Sequence, residues 1–375
     1  MKATIIQPPT NDLPPVMPIE AAYIADTLDS LGWGVWVLDV AAFNMAVEAV
    51  RVETEKEQPD MVVLMTNCHQ YRFVKQYIGK LRQALPESLF VASTDLNPVD
   101  LEEWLPELDI ALSGVPASRL RLLASRTETK NLDGIERTNP EKWSPKFPEY
   151  HPLTVNFEQH ARLRGARIID IPTHLFGEQV AATDVVDTVA MLRLKYAIQG
   201  FNLVGALEDL KWLMPIFEQL EAKELVGPPV NLTWTCHFSN TRAITPALIR
   251  LFADHGCKVL KLEWQRGTKD ELSKIIENSL SSQIQPMINL NFGGELNIHD
   301  YLDMAKFLDG HENIPVVPRF VEDENRLDDE EYVSSLTNGL HLPKSMNLHR
   351  DIELLATRDL VLSRDLDRLE RLAKA

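Results

Sequence analysis

Between Arg167 and Glu295, short apolar runs alternate with amphipathic helical patterns, and nothing else in the chain constrains its fold as tightly. The strand-like runs are Ala166–Ile171, Gly200–Val204, Val230–Cys236, Lys258–Glu263 and Gln285–Asn291. Helical patterns begin near Asp184, Asp209, Thr245, Thr268 and Ile298. The runs recur at roughly 30-residue intervals, the length of one strand–helix unit. Parallel strands need a crossover helix, and strands covered on both faces are expected to be continuously apolar. Repeating the unit predicts a partial (β/α) barrel of about six strands, extended by a last run at Ile314–Val317. Sites on such barrels lie where strands end and loops begin. Here those positions are Thr235, Cys236 and His237, then Glu263, Trp264 and Gln265, then Asn291, Phe292, Gly293, Gly294 and Glu295.

The preceding stretch has the same grammar. Runs at Ala3–Gln7, Gly34–Val40, Asp60–Thr66, Ser88–Ser93 and Ile110–Ser113 are separated by helix-like segments. Pro18 suits a first helical turn, and Gly32 suits the position just past a helix end. The expectation is a five-stranded, flavodoxin-like doubly wound domain over residues 1–126. Its ligand is expected beyond the carboxyl ends of the strands. Residues 127–165, polar and proline-bearing, are expected to form a linker. The barrel follows at 166–320. The acidic stretch from Val321 leads into a charged helical extension, 321–375, suited to packing or to contact with a second chain.

Charge removes whole classes of function. With 38 basic and 55 acidic residues the net charge is −17, which disfavours a nucleic-acid or anionic-membrane surface. No apolar run approaches the ~18 residues of a bilayer span. Met1–Ile6 enters a strand at once, so a cytoplasmic location is expected. Three cysteines, Cys68, Cys236 and Cys257, fit a reducing compartment and cannot build a disulfide framework.

Several residues bear chemistry. Cys236 and His237 pair a nucleophile with a base in sequence, but neighbouring strand residues point to opposite faces. Glu263 and Gln265 share a face, suited to a ribose or an amine; the alternative is a salt bridge from Glu263 to Lys261 or Arg266. Gly293-Gly294-Glu295 lets backbone approach a ligand, or simply makes a tight turn. Glu263, Glu295 and His237 are the catalytic candidates. His174 and Glu178, with His160 or Asp170, carry metal-compatible groups without a recognisable ligand spacing, so no metal is assigned. Neither G-x-G-x-x-G after the first strand nor G-x-x-x-x-G-K occurs.

Other stretches carry a family resemblance. Pro8-Pro9 follows the first run, then come Ala21–Ala25, Leu31–Asp39 and Gln58–Val63. Later pieces are Asp184–Asp187, Tyr196–Val204, the helix–Gly–Cys–strand step Ala253–Glu263, and Asn291–Glu295. In this order and spacing they resemble the cobalamin-binding radical S-adenosylmethionine proteins over roughly residues 3–310. The resemblance implies a cobalamin-binding-type first domain, a radical-S-adenosylmethionine-like barrel, and the cofactors cobalamin and S-adenosylmethionine. It implies cofactor contacts at Asn67, His69, Ser93, Thr94, Ser113 and Gly114, and at Gly293 and Gly294.

The chain departs from the family at one place. The family's four-iron, four-sulfur cluster is held by C-x-x-x-C-x-x-C, because such clusters need thiolates. The corresponding loop here, Pro172–Glu178, has no cysteine, and no such cluster is expected. The D-x-H-x-x-G motif that supplies an axial histidine in one cobalamin class is absent as well. Three functions stay open. The first is a diverged biosynthetic enzyme doing non-radical cobalamin or S-adenosylmethionine chemistry, methyl transfer or rearrangement, on a small-molecule or peptide substrate. The second is a non-catalytic partner subunit of a complete radical S-adenosylmethionine enzyme; a protein partner or a homodimer is the expected assembly. The third is a ligand sensor.

Overall fold

The computed structural model describes residues 1–9, 16–67, 70–115, 117–138, 156–175, 178–207, 210–226, 231–239, 241–265, 267–292 and parts of 303–320. Among these lie two parallel sheets with helices between their strands. The first contains β1 (Lys2–Gln7), β2 (Gly34–Asp39), β3 (Met61–Thr66), β4 (Leu89–Thr94) and β5 (Ile110–Ser113). Its order is β2-β1-β3-β4-β5 and every pairing is parallel, the doubly wound, flavodoxin-like arrangement. The second contains β6 (Ile168–Pro172), β9 (Gly200–Leu207), β10 (Thr233–Phe238), β11 (Cys257–Glu263), β12 (Gln285–Phe292) and β13 (Val316–Phe320). Its order is β13-β12-β11-β10-β9-β6, that of a partial barrel whose strands follow in sequence. A two-stranded hairpin, β7 (His174–Leu175) and β8 (Glu178–Gln179), comes between β6 and β9.

The chain divides into two compact units, Met1–Val204 and Gly205–Ala375. In the first, β3 and β4 are buried along their whole length, as helices on both faces require. One face carries Met61, Val63, Met65, Leu89, Val91 and Leu112 against α1 (Ile19–Ser30) and α5 (Ala117–Arg126). α2 (Val47–Glu57) and α3 (Tyr71–Ala84) pack together, and α4 (Pro98–Trp104) lies by β5. Gly32, at φ +81°, ends α1 in the left-handed region that glycine enters without strain. The stretch expected to be a linker contains a helix, α6 (Phe157–Arg164). The Asn156 side chain caps it by accepting from Gln159 N, and Gly165 closes it at φ +65°. Only Phe157 and His160 of α6 are buried, so its apolar signal in sequence is weak.

In the second unit, α8 (Leu210–Ala222), α9 (Pro246–Asp254) and α10 (Lys269–Ser281) accompany β10, β11 and β12. Phe217, Trp234, Phe238 and Phe252 stack or meet edge-on in the core, and Trp234 Nε1 donates to His255 O at 2.7 Å. Burying each such ring contributes about 1.5–3 kcal/mol. Here the expectation of continuously apolar strands is corrected. β11 alternates from Val259 onward: Leu260 and Leu262 are fully buried, whereas Val259, Lys261 and Glu263 are half-exposed. Helices cover one face of this sheet, and the other carries polar side chains among apolar ones such as Val259 and Met287. Among the described residues no helix is long and apolar enough to cross a membrane.

Candidate functional site

The polar face is set by register. His237 pairs with Lys261, which pairs with Met287; Glu263 pairs with Asn289. In a parallel sheet these partners share a face, so His237, Lys261, Glu263 and Asn289 stand together at the carboxyl end of β10–β12. His237 Nε2 lies 3.1 Å from Glu263 Oε1. The contact falls outside the angular range of a hydrogen bond, leaving that buried nitrogen without an aligned partner. Asn289 is 1% exposed, and among the described residues its Nδ2 has no hydrogen-bond partner. Two of the three catalytic candidates, Glu263 and His237, are thus neighbours; Glu295, Gly293 and Gly294 lie outside the described residues. The side chain seen beside Glu263 is His237, on the next strand; of the two salt-bridge alternatives, Arg266 lies outside the described residues. Gln265 turns away to donate to Ser239 O at 2.6 Å.

Cys236 does not join His237. It is fully buried on the helix-covered face, where its thiol is hydrogen-bonded with Cys257 of β11. Burial first, then the neighbouring thiol, pushes the Cys236 thiol well above its ordinary range, the opposite of what a nucleophile needs.

In the first unit the register aligns three hydroxyls. Thr66 pairs with Thr94, and Thr94 with Ser113, so the carboxyl ends of β3, β4 and β5 present a row on one face. Ser93 lies on the opposite face with Met65 and Leu112. Local bonds hold the ends rigid. Asn67 and Gln70 each accept the other's backbone N–H through their side chains, at 2.9 and 3.1 Å. Thr94 Oγ1 accepts from Leu96 N, and Asn97 caps α4. The Arg119 guanidinium donates to the carbonyls of Ser113, Gly114, Arg137 and Thr138, and Ser113 N donates to Arg137 O. Arg119 was not singled out in the sequence; its i+6 spacing from Ser113 was the available signal. His69 and Cys68 lie outside the described residues.

The residues considered beside the missing cluster motif are tied elsewhere. His160 Nε2 stands 2.7 Å from Asp39 Oδ2. Asp170, on β6, accepts from Met17 N at 2.8 Å, from Asn202 Nδ2 at 3.0 Å and from Arg164. His174 is exposed, with Nδ1 3.0 Å from Thr173 Oγ1. Among the described residues no three histidine, cysteine or carboxylate side chains gather as metal ligands.

No protein-family model matches the sequence, and no curated protein does. Solved structures do match. One is the radical S-adenosylmethionine methyltransferase TsrM from Kitasatospora setae with cobalamin and a four-iron, four-sulfur cluster bound. It aligns at TM-score 0.65 and 13% identity, over 85% of this chain and 74% of TsrM. TsrM with tryptophan substrate and an S-adenosylmethionine analogue aligns at 0.62 and 14% identity, over 85% and 72%. The cobalamin-dependent S-adenosylmethionine radical enzyme OxsB, with aqua-cobalamin and S-adenosylmethionine bound, aligns at 0.53 and 13% identity. That match spans 90% of this chain but 55% of OxsB. At such identities the likeness is one of architecture: the chain has the fold of the cobalamin-binding radical S-adenosylmethionine enzymes TsrM and OxsB.

Proposed function

We propose that this chain binds a cobalamin at the carboxyl edge of its first sheet and a small polar substrate on the polar face of its second. It would support methyl transfer without an iron–sulfur cluster of its own. The observation that carries the reading is the in-register row Thr66–Thr94–Ser113 at the edge of a flavodoxin-order sheet. Fold neighbours bear cobalamin, which supports the choice of cofactor.

The donor set fits a cobalamin. Hydroxyls both donate and accept, matching the amide arms of the corrin and the phosphate and sugar of its nucleotide tail. The clips at Asn67–Gln70 and Arg119 hold this edge in place before any ligand arrives, which lowers the ordering cost of binding. When bound, cobalamin supplies a cobalt-centred carrier for a one-carbon group. On the second sheet, Glu263 is placed to hold the proton that a substrate nucleophile sheds, with His237 beside it at 3.1 Å.

The residues present do not fit an iron–sulfur cluster. The hairpin after β6 offers Thr173, His174 and Glu178 and no thiolate, and such clusters are ligated by thiolates. Cys236 and Cys257 are buried in a strand pair of the other unit.

The test is a visible absorption spectrum of protein from a host supplied with cobalamin, repeated after desalting. The expected result is a persistent corrin band near one equivalent, diminished in Thr94→Val. No band, and no gain on reconstitution, would sink the cofactor assignment and favour a partner subunit or a sensor.

A further inference from the structure

The two edges of the first sheet are finished differently. At β5, N–H groups turned away from β4 are taken by the chain itself. Ala111 N donates to Glu102 Oε1 and Ser113 N to Arg137 O, both at 2.8 Å. Arg137 and Glu102 are joined by a salt bridge, so charge stands along that edge. β2 forms the opposite edge. Gly34 N donates to Met1 O and Val40 N to Gln7 O, so the even-numbered residues of β2 turn their backbone groups towards β1. Alternation turns those of Val35 and Val37 outward. Among the described residues, no backbone bond reaches them there.

A bare strand edge is a template for pairing with another chain, and proteins normally guard it with charge, proline or a bulge. Gly34–Leu38 has no charged residue and no proline, and its register with β1 is unbroken. Trp36, at its middle, is 43% exposed. The chain thus guards β5 and leaves β2 open.

The edge also selects its occupant. Val35 and Val37 each offer one donor and one acceptor. An identical strand, turned about a two-fold axis through Trp36, sets Val35 opposite Val37 of the second copy, and each such pair exchanges both its bonds. Every outward group of the two valines is then satisfied. Trp36 falls opposite its twin in the closer, non-hydrogen-bonded pair, with Cα atoms about 4.5 Å apart and both rings on one face. The stretch is neutral in a chain of net charge −17, so the contact brings no like charges together at its centre. We propose that two copies of this chain pair antiparallel through the β2 edge, at Val35–Val37, into one ten-stranded sheet. The guarded β5 lies at each far end, so the assembly closes at two. The inference is independent of the cofactor and substrate readings.

The test is sedimentation velocity of the full chain across roughly 1–200 μM, the range suited to a small interface. A reversible monomer–dimer equilibrium is expected. Trp36→Glu and Trp36→Lys each set like charges against each other across the axis and are expected to weaken the dimer about tenfold or more. Mixing the two variants is expected to restore it, because opposite charges then face each other. Only a residue that meets its own twin gives that rescue. Val99→Glu, at an exposed residue of α4, leaves the equilibrium unchanged. If a Trp36 variant does not fold, by circular dichroism, Val37→Pro carries the test. It removes an outward N–H without adding charge and is expected to weaken the dimer as well. A monomer at every concentration, a dimer indifferent to these variants, or a mixture that stays monomeric would each overturn the interface.

Discussion

Asp39 Oδ2 lies 2.7 Å from His160 Nε2, with both side chains buried and 121 positions of sequence between them. The pair fixes α6 against the end of β2, and Gln159 adds a bond from its Nε2 to Ala42 O at 2.8 Å. Asp39 Oδ1 also accepts from Ala42 N. Removing one member of a buried pair leaves the other uncompensated, which costs about 3–5 kcal/mol. His160→Leu is therefore expected to lower unfolding free energy by about that amount. The double change His160→Leu with Asp39→Leu is expected to recover most of it. Guanidinium denaturation of the three proteins measures both effects.

Asp170 is expected to behave as a second such node. It holds Met17 N, Asn202 and the almost fully buried Arg164 guanidinium. Asp170→Ala leaves Arg164 without that carboxylate and is expected to destabilise by about 3–5 kcal/mol. Hydrogen exchange should show the Met17 amide losing protection first. Unchanged exchange there would mean the tie is not formed.

Two glycines separate conformational strain from collision. Gly32 and Gly256 both have positive φ, +81° and +86°. A Cβ at Gly32 meets nothing within 4 Å, whereas one at Gly256 falls 2.6 Å from the Leu232 carbonyl oxygen. Gly32→Ala is expected to cost about 1–2 kcal/mol, the left-handed penalty alone. Gly256→Ala is expected to cost more, because the backbone at Leu232, just before β10, must move. Denaturant midpoints rank the two.

The buried thiols give a pH dependence. Burial and the hydrogen bond with Cys257 hold the Cys236 proton on well above the range where a free cysteine ionises, about pH 8.5. Above that range the unfolded chain releases the proton and the folded chain keeps it. Stability from this group is thus complete below it and is lost as the pH climbs towards the folded value. The native protein is expected to leave Cys236 and Cys257 unalkylated by iodoacetamide at pH 8–9, and to label both once unfolded. Peptide mapping by mass spectrometry reads the outcome.

Much of this architecture is legible in the sequence, because strand and helix periods are local. The run Ile110–Ser113 is β5 to the residue, and the others differ by a few positions at their ends. What one strand cannot reveal is its neighbour. His237 pairs with Cys236 only in sequence; the side chain that stands beside it is Glu263. That meeting depends on a register that shifts between Trp234 and Thr235. The alternation of β11 was present in Val259–Glu263, but the expectation of two covered faces outweighed it. The β7–β8 hairpin has strands of two residues each, too short for any period to show. Asp39 and His160 lie too far apart in sequence for any local pattern to join them.

The hydroxyl row ties chemistry to strand length. Side chains alternate along a strand, so each position keeps its identity only while the count of residues before it is kept. Deleting one residue between Leu89 and Ser93 would bring Asp95 to the place of Thr94 beside Thr66 and Ser113. A negative charge would then stand beside the edge proposed above for the cobalamin. Substitutions can drift along β4; insertions and deletions there cannot, and relatives that share the ligand should be recognisable by equal spacing before they are recognisable by identity.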